Sequence, residues 1–277
     1  MLYIDDNIFQ KGQPVGLEIL EGFKAPFDAE VITRLNEPTE RVVLSEFGLT
    51  APSELPSPLL CNDVFGHIRR QTDAQGGCYL RPTYGTVSRY GLVQTAASMD
   101  QVGIFAKTPS EAFELLEKIG DTTSCPPASA PRRAKAALPY SDEVCNAVFH
   151  ILAYAEMSAN LSRYDGIKFG FRAEGYRGLQ ELYTKTRGEG FSLQTKFAAI
   201  FGCMMLSQDY YSKYYEKALK TRCLIKESLK FDNYDILEVP PESHLAVLCG
   251  LPSLTVNGVQ LIAGAGNESV LRKAVEA

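Results

Sequence analysis

Histidine is scarce, and basic charge is not in excess. The 277 residues hold three histidines (67, 150 and 244), and neither an H-E-x-x-H string nor a C-x-x-C pair occurs. Metal hydrolysis and a zinc site therefore have little support. The seven cysteines are odd in number and widely scattered, which reads as reduced thiols and predicts a cytoplasmic protein rather than a disulfide framework. Lys plus Arg is 28 against 33 for Asp plus Glu, a formal charge of −5. General nucleic-acid binding needs a basic surface, so no direct nucleic-acid partner is expected. The longest strongly apolar run, 198–206, is far short of the roughly 20 residues of a membrane helix. Asp5 and Asp6 near the start predict no secretory leader. No G-x-S-x-G elbow is present either.

What is there is ordinary for a globular chain: 45% apolar and 22% charged residues. Residues 16–36 read as a helix broken at Ala25-Pro26, with Asp28 as a cap for its second half. Arg41–Leu44 reads as a short buried strand. The Pro/Ser-rich stretch 50–59 reads as loop, and 76–103 as turn-rich backbone with short strands. Thr108-Pro-Ser-Glu111 carries the signature of a helix start, with cap, first-turn proline and capping box. The Pro/Ala/Arg-rich stretch 121–139 is the best linker candidate. Ser141–Leu161 reads as a helix, 194–230 as helix split near Gln208-Asp209, and 234–240 as a strand. Val256–Ala263 reads as a hairpin arm or edge strand and Glu268–Val275 as a last helix. Alternating helices and short apolar strands place the chain in the α/β class.

Local motifs name no reaction. Gly264-Ala-Gly266 looks like half of a dinucleotide turn, but too little chain follows to complete a βαβ unit, so a plain strand-to-helix turn is expected. The tyrosines 210, 211, 214 and 215 suggest either a base-stacking surface or, as the favoured reading, ordinary packing at helical spacing. Arg132, Arg133 and Lys135 read as a solvated run rather than a phosphate contact. His67, in Gly66-His-Ile-Arg69, offers a general base with Asp63 but no nucleophile nearby in sequence, and a packed or surface histidine is the favoured reading.

Longer strings carry more. Arg81-Pro-Thr-Tyr-Gly-Thr-Val-Ser-Arg-Tyr-Gly-Leu-Val-Gln-Thr-Ala-Ala-Ser-Met-Asp-Gln-Val-Gly103, Ala155-Glu-Met-Ser-Ala-Asn-Leu-Ser-Arg-Tyr-Asp-Gly166, Thr186-Arg-Gly-Glu-Gly-Phe191 and 206–218 resemble the amidase signature family. So do Ala25–Leu35, Cys249-Gly-Leu-Pro252 and Val259–Ile262. The resemblance runs in order along nearly the whole chain. Within the family it is nearest to the A subunit of the glutamyl-tRNA(Gln)/aspartyl-tRNA(Asn) amidotransferase, a carbon–nitrogen ligase. It implies an α/β fold with a mixed twisted sheet flanked by helices, here in a single shortened domain over 1–277. The stretches missing relative to the family fall before Met1 and around 49–60, 121–139 and 239–245, which implies a narrower sheet with an exposed edge.

The family's chemistry, as the resemblance implies it, uses a nucleophilic serine, a relay serine and a basic lysine, with backbone N–H groups as the oxyanion hole. In the amidotransferase it releases ammonia from glutamine for a partner subunit. This chain departs at each position. Asp5 stands in the lysine's place within Ile4-Asp-Asp-Asn-Ile8, reversing the charge. The relay serine's Gly/Ser-rich stretch is absent between Leu44 and Cys61. In Asp63-Val-Phe-Gly-His-Ile-Arg69, His67 takes the nucleophile position, and Val64 and Phe65 precede Gly66 in the oxyanion region. Tyr154 and Arg187 match positions near the glutamine site, where an arginine fork suits a carboxylate; a purely structural reading of both stands beside that.

The expectation is thus a catalytically inactive amidase-like protein, with no cofactor and no metal, acting as a binding or assembly partner. It would join an amidotransferase-like partner subunit or associate with itself, away from membranes. Two alternatives stay open. One is an active enzyme using His67 with Asp5 or Asp63 as an acid–base pair, which needs them within hydrogen-bond reach. The other is a sensor of small carboxylates or amino acids using Tyr154 and Arg187.

Overall fold

The computed structural model describes residues 1–44, 46–50, 52–121, 130–135 and 140–276. Among these residues nine strands form one sheet: β1 (Leu2–Asp5), β2 (Thr39–Val42), β3 (Leu59–Asn62), β4 (Cys78–Arg81), β5 (Val102–Ala106), β6 (Arg133–Lys135), β7 (Ile236–Val239), β8 (Ser253–Val256) and β9 (Val259–Ala263). Their order is β2-β1-β3-β5-β4-β8-β9-β7-β6. β1 runs parallel to both β2 and β3, and β6 parallel to β7, while the six strands from β3 to β7 pair antiparallel. Eight α-helices among the described residues accompany the sheet: α1 (Glu30–Leu35), α2 (Pro109–Ile119), α3 (Asp142–Leu161), α4 (Leu179–Gly190), α5 (Leu193–Leu206), α6 (Glu216–Ser228), α7 (Leu245–Cys249) and α8 (Glu268–Glu276).

Strand side chains alternate between the faces, and the core divides accordingly. Leu80, Ile104, Leu261 and Ala263 pack with α1, α2 and α8 on one face. Leu237, Val239 and Ile262 point to the other, where α3, α5, α6 and α7 contribute Phe149, Leu152, Ala198, Ile225 and Leu248. Helix starts follow local chemistry. Thr108 accepts from the Glu111 N–H at 3.3 Å and Ser141 from the Val144 N–H at 3.4 Å, each supplying an orphan donor with a partner. α3 and α5 approach closely because α5 has a glycine at the crossing. A Cβ at Gly202 would lie 2.0 Å from the Tyr154 carbonyl.

The mixed, helix-flanked sheet is the expected fold, with local differences. Asp28 does not cap α1; its carboxylate accepts the Lys11 N–H at 2.7 Å, and Ala29 takes the cap position. The first half of 16–36 makes only a short 3-10 turn, Glu18–Leu20. β2 is an outer strand and only partly buried. Residues 256–263 supply most of a central hairpin, because β8 bonds β4 and β9 bonds β7. Within the expected linker, 133–135 form β6, drawn into the sheet by β7 and by the Arg133–Glu238 ion pair at 3.3 Å; 122–129 and 136–139 lie outside the described residues. Arg132 pairs with Asp235 at 2.9 Å, so both arginines of this basic run have acidic partners. Tyr215 packs against the core as expected, while Tyr210, Tyr211 and Tyr214 are exposed; a π-helical turn spans 211–215. Gly264–Gly266 is the expected strand-to-helix turn, its Gly266 N–H donating to Thr83 Oγ1 at 2.8 Å.

Candidate functional site

Register brings Asp5 and the 63–70 loop together. β1 and β3 are parallel neighbours with Tyr3 opposite Leu59 and Ile4 opposite Leu60. Both strands therefore leave the sheet at the same end, Asp5 on one and Asp63 just beyond the other. The carboxyl ends of parallel strands are where α/β sheets place ligand sites. Here that place is nearly full: a cavity of about 10 Å³ is lined by Asp5, Gly48, Asn62, Asp63, His67 and Ile68, among others. A single water needs roughly 10–15 Å³.

Each polar group in this place has a local task. The Asp63 carboxylate accepts the Ile68 and Arg69 N–H groups at 3.1 and 3.0 Å, tying the loop into a turn. His67 Nδ1 lies 2.9 Å from the Arg70 guanidinium. A guanidinium only donates, so Nδ1 carries no proton and its lone pair is engaged. Among the described residues no carboxylate hydrogen-bonds the ring. Burial and then Arg70 hold the imidazole below its usual pKa. Asp5 is buried and takes its bonds from Asn7, backbone at 3.4 Å and carboxamide at 3.2 Å. Burial and the adjoining Asp6 push its carboxyl up to about 8. Asp5 and His67 thus share a cavity wall without forming an acid–base pair.

The residues expected in the oxyanion region are packed. Val64 and Phe65 are buried. The Phe65 ring stacks on Tyr154 at 5.7 Å and meets Phe149 edge-on at 5.7 Å, and its carbonyl faces His244 Nε2 at 3.3 Å. Gly66 has φ +78°, a left-handed conformation that favours glycine. Tyr154 is half-buried among Phe65, Phe201 and His150. Arg187 donates to the Tyr164 and Ser162 carbonyls at 3.0 and 2.8 Å. Two guanidinium nitrogens thus hold the loop after α3. Phe65 and Tyr154 meet; Arg187 sits on α4 with backbone partners. No cluster of three or more His, Cys, Asp or Glu suited to a metal occurs among the described residues.

Sequence reasoning passed over two buried arginines. Arg69 donates to the Pro241 and Ser243 carbonyls, both at 3.0 Å. Burial brings its pKa down to about 10. Arg81 is equally buried and donates to the Met99 carbonyl. Their charge gave no hint of burial, since arginine is usually exposed.

Comparison with known proteins gives the family and the fold. A family profile described as Amidase matches residues 132–263. The chain is 32% identical to the A subunit of glutamyl-tRNA(Gln) amidotransferase from Akkermansia muciniphila, covering 86% of this chain and 69% of that protein. It is 32% identical to the same subunit of Lachnoclostridium phytofermentans, at 86% and 66% coverage. Among solved structures, a crystal structure of an amidase superposes with TM-score 0.76 at 17% identity, covering 99% of this chain and 82% of that one. The glutamyl-tRNA(Gln) amidotransferase A subunit from Thermotoga maritima gives 0.63 at 22% identity, with the same coverage. The fold is thus that of the amidases. The chain belongs to the amidase family and is similar to the amidotransferase A subunit along most of its length. It spans about two thirds of the length of those curated relatives.

Proposed function

We propose that this chain is an amidase-family protein without the family's catalysis, one shortened domain that acts as a binding or assembly partner in the cytoplasm. The observation that carries this reading is the near-absence of space between Asp5 and His67, a cavity of about 10 Å³. An amide substrate does not fit there, and His67 has its Nδ1 lone pair turned to Arg70. With an aspartate at the lysine position and a histidine at the nucleophile position, no group is poised to attack a carbonyl. The acid–base alternative needs a His67–carboxylate hydrogen bond that is missing among the described residues.

Assembly draws support from α5. Leu193, Phe197, Ile200 and Met204 recur at helical spacing and are 77%, 58%, 71% and 39% exposed. One helix face is thus apolar and open, the mark of an interaction surface. The relatives are named as a subunit of an amidotransferase, which suits a partner subunit or a second copy on this face. The test is ammonia release from glutamine and simple amides by the purified protein. No release above buffer is expected; release that His67→Ala abolishes would overturn the reading.

A further inference from the structure

A second cavity, with lining residues other than those of the filled one, has the walls of a ligand site. It encloses about 550 Å³, within the roughly 300–1,000 Å³ usual for small-molecule sites. Phe9, Phe23, Phe27, Tyr90, Tyr164 and Phe169 line it. Their rings make one unbroken belt. Tyr90 stacks on Phe27 at 4.7 Å, Phe27 meets Phe9 at 5.6 Å, Phe9 meets Phe23 at 5.9 Å, Phe23 meets Phe169 at 5.5 Å and Phe169 meets Tyr164 at 6.3 Å. The belt joins the loop after β1, the segment before α1, the 88–94 stretch and the loop after α3. Tyr90 and Phe169 remain 63% and 38% exposed. Large rings left open at the edge of a cavity present flat faces to whatever enters.

The charged groups in the wall are of one effective sign. Arg89 and Arg163 line the cavity together with Asp100. The Asp100 carboxylate is already taken by the Asn62 carboxamide and the Thr95 and Ala96 N–H groups at 2.9–3.1 Å. The arginines are fixed but keep donors to spare. Arg163 uses Nε and Nη2 on Asn160 and Gln94, and its Nη1 has no partner among the described residues. Arg89 gives Nη1 to the Ala97 carbonyl at 2.7 Å and lies 4.3 Å over the Tyr84 ring. Its Nε and Nη2 have no partner among the described residues. Guanidinium groups held in place lose little freedom on meeting a carboxylate.

We propose that this groove binds a planar aromatic anion, its ring laid on the Phe27–Tyr90 stack and its carboxylate or equivalent oxyanion taken by Arg163 and Arg89. The site shares no lining residue with the Asp5–His67 cavity, so it stands whether or not the chain is catalytically silent. It also differs from a Tyr154–Arg187 site, because neither residue lines it.

The experiment is calorimetric titration of the whole protein with 2-naphthoate and with its uncharged analogue 2-naphthamide. Saturable binding of 2-naphthoate at one site per chain is expected, with the amide at least about tenfold weaker, as for the loss of a charged hydrogen bond. Arg163→Gln should weaken 2-naphthoate about tenfold or more while bringing the two probes to similar affinity. Tyr90→Ala, at an exposed ring, should weaken both probes. Phe197→Glu, on α5, should change neither. No saturable heat for 2-naphthoate, equal affinity for the two probes, or wild-type affinity in both Arg163→Gln and Tyr90→Ala would overturn the proposal. Loss of binding in Phe197→Glu would place the occupant on α5 instead, which also overturns it.

Discussion

A Cβ placed on Gly66 would fall 2.3 Å from the guanidinium carbon of Arg69. The arginine cannot step aside cheaply, because its Nε and Nη2 are bonded to the Pro241 and Ser243 carbonyls. The glycine has φ +78° besides. Gly66→Ala is therefore expected to destabilise the protein by about 2–4 kcal/mol, combining left-handed strain with displacement of a buried guanidinium. Urea unfolding that leaves the midpoint of Gly66→Ala at the wild-type value would contradict this.

Asp5 supplies a pH signature. Its pKa is raised above the unfolded value by burial first and by Asp6 second. A carboxyl raised on folding binds its proton more tightly in the native state, so stability falls as pH rises from about 4 toward 8. Asp5→Asn removes that titration and keeps a similar shape. The variant should gain stability relative to wild type as pH rises from about 5 to about 8, by a few kcal/mol at the top of the range. A pH-independent difference between the two in thermal melts would refute the assignment.

His244 gives the opposite slope at low pH. Its ring stacks on Phe149 at 4.0 Å, and Nδ1 is 2.9 Å from the Asn146 carboxamide. The Phe65 carbonyl only accepts, so Nε2 carries a proton. Burial, then Arg69 and His150, push its pKa down to about 2. Below about 6.5 the unfolded chain takes up a proton that the native state refuses, and stability is lost. His244→Gln should flatten the loss between about pH 6.5 and 4, as read by urea midpoints. Nuclear magnetic resonance showing His244 titrating near its ordinary value in the folded protein would exclude this source.

The α5 stripe separates surface from core. Phe197 and Ile200 are already more than half exposed. The double change Phe197→Glu with Ile200→Glu should therefore alter folding stability by no more than about 0.5 kcal/mol. Wild type should show concentration-dependent association in sedimentation velocity, and the double variant should not. A wild type that sediments as a monomer at every concentration would remove self-association as the use of this face.

Much of the fold could be read in the sequence because local chemistry and long matching strings agreed. Ser141 and Thr108 cap the helices that their spacing announced. The 81–103 string begins on β4 and ends on β5, which sit side by side. β6 was invisible because three residues in a Pro/Ala/Arg stretch have no strand pattern of their own; β7 and the Arg133–Glu238 pair hold them in the sheet. Asp28 failed as a cap because Lys11, 17 residues earlier, competes for its carboxylate. At the site, the matching strings singled out Asp5, His67 and Phe65, and parallel pairing of β1 with β3 brings their segments to one end of the sheet. Residue type did not reveal that His67 is satisfied by Arg70 three positions on, or that Arg187 spends its fork on backbone carbonyls. Those outcomes depend on side-chain direction within turns, which composition and spacing do not encode.

The two outer strands have a consequence for the molecule's life at high concentration. β2 is four residues long and carries Glu40 and Arg41; β6 is three residues long and carries Arg133 and Lys135. A stray strand seeking to extend either margin would find a short ladder flanked by charge, a poor template for fibrous growth. The described margins of the sheet are thereby poor seeds for indiscriminate stacking.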